Sequence, residues 1–308
     1  MRVLLVRNTY NNEATDAAFM LASFFNMQGI EYDSYSSEDI LSPNVIIDHS
    51  VEGGNPHYDL AIVLGGDGTI LHTALQIKYA RVPILGINFG HLGFMANNKA
   101  NVLPIVMDAL AGELKQEVRT NLHIDVYCEE DFENITHGKK VDFNCPLPEK
   151  PSHSFFALNE ATLSRGNNGR IIGYSYAVGG EKVADLRGDG LIIATATGST
   201  AYALSAGGPI VSPGFGGLVV VPIAPHTLNS RTLLTEPSDV IEVVMDSSIG
   251  NREATLFIDG ELIEPKSPIR RLVICTGEDP TILLRQPNQN FYKTVSQEFF
   301  YSGPNLWE

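Results

Sequence analysis

The sequence predicts an α/β unit followed by a β-rich unit, and three observations carry that prediction. Over residues 1–120, short apolar runs alternate with segments of helical apolar spacing, as in a parallel sheet covered by helices on both faces. From about Asn121 the alternation changes to a period of two, punctuated by glycine, proline and asparagine, which is the pattern of antiparallel strands. The length of 308 residues, 44% of them hydrophobic, supplies core for one large domain or two ordinary ones. The division that results is an α/β domain at 1–120, a β-rich domain at 121–283 and a terminal segment at 284–308.

Val3–Val6 is the first predicted strand. Ala14–Met27 follows as a helix with Phe19, Met20, Phe24 and Met27 on its apolar side, closed by Gly29. Ile30–Ser34 returns as a strand, and a further short strand is predicted at Val45–Ile47. Leu60–Leu64 is a strand that delivers Gly65-Gly66-Asp67-Gly68-Thr69, after which Ile70–Leu75 has helical spacing. Ile84–Asn88 is the next strand. It runs into a second glycine-rich turn ending at Gly93-Phe94, and Val102–Leu114 reads as the helix that closes the unit. In such sheets ligands bind beyond the carboxyl ends of the strands, where both glycine turns fall.

In the second unit Ile124–Cys128, Leu218–Ile223, Val240–Met245 and Ala254–Ile258 alternate as strands. The charged segment Glu129–Ser154, with Pro146, Pro148 and Pro151 near its end, reads as a mobile loop and not as a site. The last residues carry Phe291, Tyr292, Phe299, Phe300, Tyr301 and Trp307, too many aromatics for a disordered tail, so part of this segment is expected to dock.

A net charge of −15 argues against a nucleic-acid partner, which would meet a basic face. A phosphorylated substrate would therefore be held locally, by backbone N–H groups, a few arginines and a divalent cation. No apolar run reaches the roughly 18 residues of a membrane span, and the first residues read as a strand and not as a signal peptide. Three scattered cysteines, Cys128, Cys145 and Cys275, form no CxxC motif and favour a reducing, cytoplasmic setting.

The Gly65–Thr69 turn has the plainest chemistry. Gly65, Gly66 and Gly68 let a ligand approach the backbone closely, and the helix start adds N–H groups and partial positive charge suited to a phosphate. Asp67 would repel that phosphate, so it holds a metal ion, takes a proton, or is a simple N-cap. Asn159-Glu160 offers a donor and several acceptors, fit for sugar hydroxyls and an adenine amino group; as a local pattern it also reads as a turn with an exposed acid. Residues 186–202 bracket an apolar strand between the charged turn Arg187-Gly188-Asp189 and the hydroxyl-rich turn Thr197-Gly198-Ser199-Thr200. Ala203–Ala206 reads as a helix start whose dipole could again face a ligand, and Asp259-Gly260 as a hairpin turn. The chain has no GxSxG elbow, and its eight histidines show no metal-binding spacing.

These motifs in this order resemble the NAD kinase family, which phosphorylates the adenosine 2′-hydroxyl of NAD to give NADP. The resemblance rests on Gly65–Thr69, Gly86-Ile87-Asn88 through Gly93-Phe94, Leu158-Asn159-Glu160, Gly188–Leu191, Thr197–Tyr202, Ser205–Pro209, Pro225–Leu228 and Asp259-Gly260. It implies a Rossmann-like or phosphofructokinase-like N-terminal domain, a mainly β C-terminal domain that supplies the NAD pocket, and a terminal segment packing back on the first domain. It implies Asp67 as the general base, Gly65, Gly66, Gly68 and Thr69 around it, and Asn159 and Glu160 on the NAD ribose. Asp189 matches a contact at the nicotinamide end, and Thr200, Ala201, Tyr202 and Ser205 match the adenine side, with Phe94 as its apolar wall. Arg170, Arg187 and Glu261 fall where the family has further contacts. The donor implied is ATP or polyphosphate with Mg2+ or another divalent cation, and the implied assembly is a homodimer or homotetramer.

Two residues depart from the family pattern: Phe89 stands where a polar or basic residue is common, and Ala196 where Thr-Pro-Thr is usual. The first turn alone is shared with diacylglycerol and sphingosine kinases, so a lipid kinase is the alternative among enzymes. A non-catalytic NAD(P)-binding sensor is the alternative outside them.

Overall fold

The computed structural model describes residues 1–42, 57–78, 80–90, 93–98, 101–136, 140–166, 170–246, 254–287 and 289–300. The strand expected at Val45–Ile47 lies outside these, as do Tyr301 and Trp307. The chain forms two compact units, one from Met1–Arg119 with Asp279–Glu308 and one from Thr120–Glu278.

The first unit begins with β1 (Arg2–Arg7), α1 (Asn12–Gln28) and β2 (Glu31–Ser36). Asn11 caps α1 by accepting the Ala14 N–H, and Gly29 ends it at φ +67, as its position predicts. The buried stripe of α1 is not the predicted one. Ala14, Ala17, Ala18, Leu21 and Phe25 face the core, while Phe19, Met20 and Met27 are exposed. Both sets have helical spacing, and the alanines win because their short side chains let the helix lie close on the sheet.

Next come β3 (Leu60–Leu64), α2 (Asp67–Ile77), β4 (Ile84–Asn88), the short β5 (Asn97–Asn98), α3 (Val102–Leu110) and β6 (Lys115–Arg119). Strands β3 and β4 are buried at every position, which explains their continuous apolar sequence. Helix α3 stops four residues before the expected Leu114, because the chain turns through Gly112 at φ +75.

The second unit is a pair of antiparallel sheets. Its elements are β7 (Leu122–Cys128), α4 (Glu133–Thr136), β8 (His153–Ala157), β9 (Glu160–Ser164), β10 (Ile172–Val178), β11 (Glu181–Gly188) and β12 (Gly190–Ala194). They continue with α5 (Tyr202–Ser205), β13 (Val219–Ile223), β14 (Leu233–Leu234), β15 (Ile241–Met245), β16 (Thr255–Ile258), β17 (Glu261–Ile263) and β18 (Ile269–Thr276). One sheet has the order β11-β10-β15-β18-β7-β8 and the other β14-β13-β12-β9-β16-β17. Inward residues of both, among them Ile124, Tyr174, Val243, Leu163, Leu191 and Val220, share one core.

The segment expected to be a mobile loop is largely packed. Phe132 and Val141 are buried in a satellite cluster with Tyr127 and Val244, and Ile135, Phe143 and Cys145 pack against it. Arg271 holds the loop by donating to the backbone carbonyls of Asp142 and Cys145. The apolar residues spaced through the charged sequence carry this docking, and the high charge masks them.

The chain then returns to the first unit as β19 (Thr281–Arg285), followed by α6 (Phe291–Val295). The completed sheet runs β2-β1-β3-β4-β19-β6, with β5 beside β4. All its pairings are parallel except β19 with β6. Fully buried Asn97 joins the returning strand to the rest: it donates to the carbonyls of Gly86 and Leu284 and accepts the Gln286 N–H.

Candidate active site

In the first unit the β3–α2 turn sets Asp67 at the first position of the helix, with Gly66 at the cap. Gly65 has to be glycine: a Cβ there would overlap the Thr69 side chain. Asp67 is no simple N-cap. Its Oδ2 accepts the Phe94 N–H at 2.8 Å, and its Oδ1 accepts those of Met95 at 3.1 Å and Ala96 at 3.3 Å. Gly93 precedes this strip because a Cβ there would strike the Asp67 carboxylate.

The strip is also gripped from its carbonyl side. Arg285 donates to Phe94 O and Met95 O at 2.6 Å each and to Ala96 O at 3.2 Å, while Arg119 reaches Phe94 O. Burial pulls the Arg285 guanidinium below its ordinary value, and nearby Glu117 works against this. The Phe94 ring stacks on Phe299 at 5.8 Å and 12°, and meets Phe291 at 5.9 Å, so the terminal segment of this unit covers it. Phe89, the first family departure, is a core residue beside Leu85 and Ile87.

In the second unit Asn159 lies between β8 and β9, and Glu160 is the first residue of β9. Glu160 is not the exposed acid of the local reading: it is 7% exposed and Asn159 9%. Asn159 Oδ1 and Glu160 Oε2 are buried with no hydrogen-bond partner among the described residues. Such atoms are costly unless something else occupies them. Burial pushes the Glu160 carboxyl up to about 8, with the neighbouring Asp259 charge adding to the rise. Burial acts upward on Asp259 as well, opposed by N–H groups of Leu158, Asn159 and Glu160 that donate to it.

The hydroxyl-rich turn packs directly on this pair. Thr195 Oγ1 donates to Leu158 O, the Thr195 N–H to Asn159 O, and a Cβ on Gly198 would collide with the Asn159 backbone. The Ser199 and Thr200 hydroxyls donate to Ala196 O and Thr197 O, so they stabilise the turn itself. Ala196, the second departure, is buried in the cluster beneath. The helix expected after Ala203 is α5, a single turn of four residues stopped by Gly207-Gly208-Pro209. One turn carries little dipole. Thr200 and Ala201 are half-buried at its start, and Tyr202 and Ser205 are exposed.

The remaining predicted residues are more scattered. Asp189 joins β11 to β12 and pairs with Arg165 at 3.2 Å. Arg187 is exposed, with its carbonyl accepting the His226 N–H. Glu261 is exposed in the β16–β17 hairpin, and exposed Arg170 follows residues outside the description. Sequence reasoning named Asp259-Gly260 as a hairpin turn and a motif of the resemblance but gave Asp259 no part in the site, and it missed Arg285. The local signal of Asp259 is the Asp-Gly pair of a hairpin, and that of Arg285 a charge ending an apolar strand.

Among the described residues no group of three or more His, Cys, Asp or Glu could hold a metal ion, and no helix is long and apolar enough to cross a membrane.

Comparison with known proteins agrees with this architecture. A structure of yeast NADH kinase complexed with NADH superposes with a TM-score of 0.78 at 20% identity, covering 100% of this chain and 90% of that one. The Archaeoglobus fulgidus NAD kinase in complex with ATP gives 0.65 at 22% identity, covering 96% and 98%. The fold is thus the two-unit fold of these two proteins. Residues 50–115 match the ATP-NAD kinase N-terminal domain family and residues 158–286 the ATP-NAD kinase C-terminal domain family. NAD kinase from Aromatoleum aromaticum is 31% identical over 98% of this chain and 94% of its own length. That from Ralstonia nicotianae is 37% identical over 80% of this chain and 74% of its own. The chain belongs to the NAD kinase family and is an enzyme, a phosphotransferase acting on NAD. The lipid-kinase alternative falls away.

Proposed function

We propose that the enzyme transfers the terminal phosphoryl group of ATP to the 2′-hydroxyl of the adenosine ribose of NAD, with Asp67 as general base. The observation that carries this reading is the pair of unpartnered buried acceptors, Asn159 Oδ1 and Glu160 Oε2, next to the hydroxyl-rich turn. They suit ribose hydroxyls and an amino group, which supply the missing donors. Asp189, Arg170, Arg187 and Glu261 bind the rest of the dinucleotide, and Thr200, Ala201, Tyr202 and Ser205 its adenine side.

Among the described residues Asp67 Oδ2 accepts one N–H, that of Phe94, which leaves it a lone pair for the attacking hydroxyl. The attacking oxygen forms its bond to the γ-phosphorus as the bond to the ADP oxygen breaks, and its proton passes to Asp67. Gly65, Gly66, Gly68 and Thr69 at the helix start suit the donor phosphates. Mg2+ or another divalent cation enters with ATP, as part of the substrate, and bridges its phosphate charge. Polyphosphate is the alternative donor. The enzyme works in the cytoplasm as a homodimer or homotetramer, a reading supported for the compartment by its three free cysteines.

The test is incubation with NAD, ATP and Mg2+, with NADP read out by an NADP-specific dehydrogenase, beside an arm with polyphosphate. Formation of NADP with ATP is expected. Binding of NAD without NADP from either donor would make the chain a sensor. Sedimentation at micromolar concentration reads the assembly.

A further inference from the structure

The peptide strip Leu158–Glu160 has every backbone group occupied. Its three N–H groups donate to the Asp259 carboxylate, at 2.7 Å from Leu158, 2.8 Å from Asn159 and 2.9 Å from Glu160. Its three carbonyls accept from Thr195 Oγ1, the Thr195 N–H and the Asp259 N–H. Two side-chain acceptors, Asn159 Oδ1 and Glu160 Oε2, have no partner among the described residues.

Asp259 sits at φ +48 in the first central position of the β16–β17 turn, with Gly260 following at φ +86, and Asp-Gly is a favoured pair for such a turn. Its charge, however, faces the buried Glu160 carboxyl. An asparagine, which serves the turn equally well, would avoid that penalty.

Resting on the reading of Asn159 and Glu160 as the NAD-binding pair, we propose that Asp259 is a positioning residue. Its carboxylate fixes the 158–160 backbone so that the two side chains meet the dinucleotide in set directions. It touches no reacting atom. Its contribution is to spare the ligand the ordering of that strip.

Asp259 is also the charged group facing Glu160. The partners of Glu160 and Ala161 on β12 and β16 are Ala194, Ile193 and Ile258, all apolar. Removing the Asp259 charge therefore lets Glu160 ionise at lower pH.

The test is Asp259→Asn, which tolerates the turn and keeps the size. The KM for NAD is expected to rise about tenfold or more, with kcat changed much less. The pH dependence of that KM is expected to move about one unit toward acid. Amide hydrogen exchange of residues 158–160, which needs no NAD, is expected to quicken about tenfold. An unchanged KM profile with unchanged exchange would overturn the proposal. Faster exchange in a protein that does not bind NAD would sink the functional reading and leave the positioning intact. If the variant does not fold, the wild-type amide shifts of Leu158, Asn159 and Glu160 are followed against pH. One common titration supports the proposal, and three unrelated responses refute it.

Discussion

In the first unit the Asp67 carboxylate accepts the N–H groups of residues 94–96, and in the second the Asp259 carboxylate accepts those of residues 158–160. The geometry repeats, but the division of labour is reversed. The strip on Asp67 is Phe94-Met95-Ala96, with no polar side chain, so the chemical group there is the aspartate itself. The strip on Asp259 carries Asn159 and Glu160, whose free acceptors are the chemical groups, and the aspartate serves them. The support differs accordingly. Arg285, 8% exposed, backs the first strip, whereas a threonine and a β-hairpin back the second. A carboxylate with three N–H donors is thus a placement device, and its neighbours decide whether it places itself or others.

The largest expected effect breaks the first half of that comparison. Asp67→Asn keeps the shape but can take no proton, so NADP formation should fall by about 10²–10⁴-fold while NAD binding, measured by calorimetry, persists. A near-normal rate would leave Asp67 as a holder of its strip and no more. Arg285→Met comes next: it takes the Arg285 donor from the Met95 carbonyl, leaves the Phe94 carbonyl with only the longer contact to Arg119, and removes one of the two arginines beside Glu117. It should cost about 3–5 kcal/mol in urea unfolding, with turnover falling in the folded fraction as Asp67 loses its setting.

The second half is sharpened by Glu160→Gln. The folded-state carboxyl is pushed from its ordinary 4.5 to about 8, so between those pH values the folded protein binds more protons than the unfolded chain. Stability contributed by this group is therefore full below about 4.5 and declines as pH rises toward 8. The glutamine variant should remove that decline and exceed the wild type at pH 9 by a few kcal/mol, on the order of the shift itself. Urea midpoints at pH 5 and pH 9 check it.

The smallest effects come from paired glycines. Gly93→Ala pushes on a side chain, Asp67, and Gly198→Ala on the Asn159 backbone. Each should cost about 1–3 kcal/mol. Gly93→Ala should lower kcat and Gly198→Ala should raise the KM for NAD, if the two strips differ as described.

Much of this was legible in the sequence, and what was not shares one cause. Continuous apolar runs at Leu60–Leu64 and Ile84–Asn88 mark buried parallel strands, Gly65–Thr69 marks the turn after the first of them, and Asp259-Gly260 marks the β16–β17 hairpin of the second unit, because these are local demands on the backbone. The face of α1 was misread because alanines say little on a hydropathy pattern, although close packing selects them. The grip of Arg285 on Met95 spans 190 residues and that of Asp259 on Asn159 spans 100. Neither leaves a local pattern. Glu160 was read as exposed for the same reason, since its burial comes from strands that arrive later.

Strand β19 has a consequence for the order of assembly. The second unit is one continuous stretch, Thr120–Glu278, whose sheets pair only within it. The first unit is interrupted. Its edge strand β6 has β19 as its neighbour in the sheet, and β19 arrives more than 160 residues of synthesis later. On a ribosome the second unit can therefore finish while the first still has an open slot between β4 and β6. Arg285 arrives with the strand that fills it. The setting of Asp67 is completed only when nearly the whole chain has emerged, so a truncated product folds in part but stays catalytically silent.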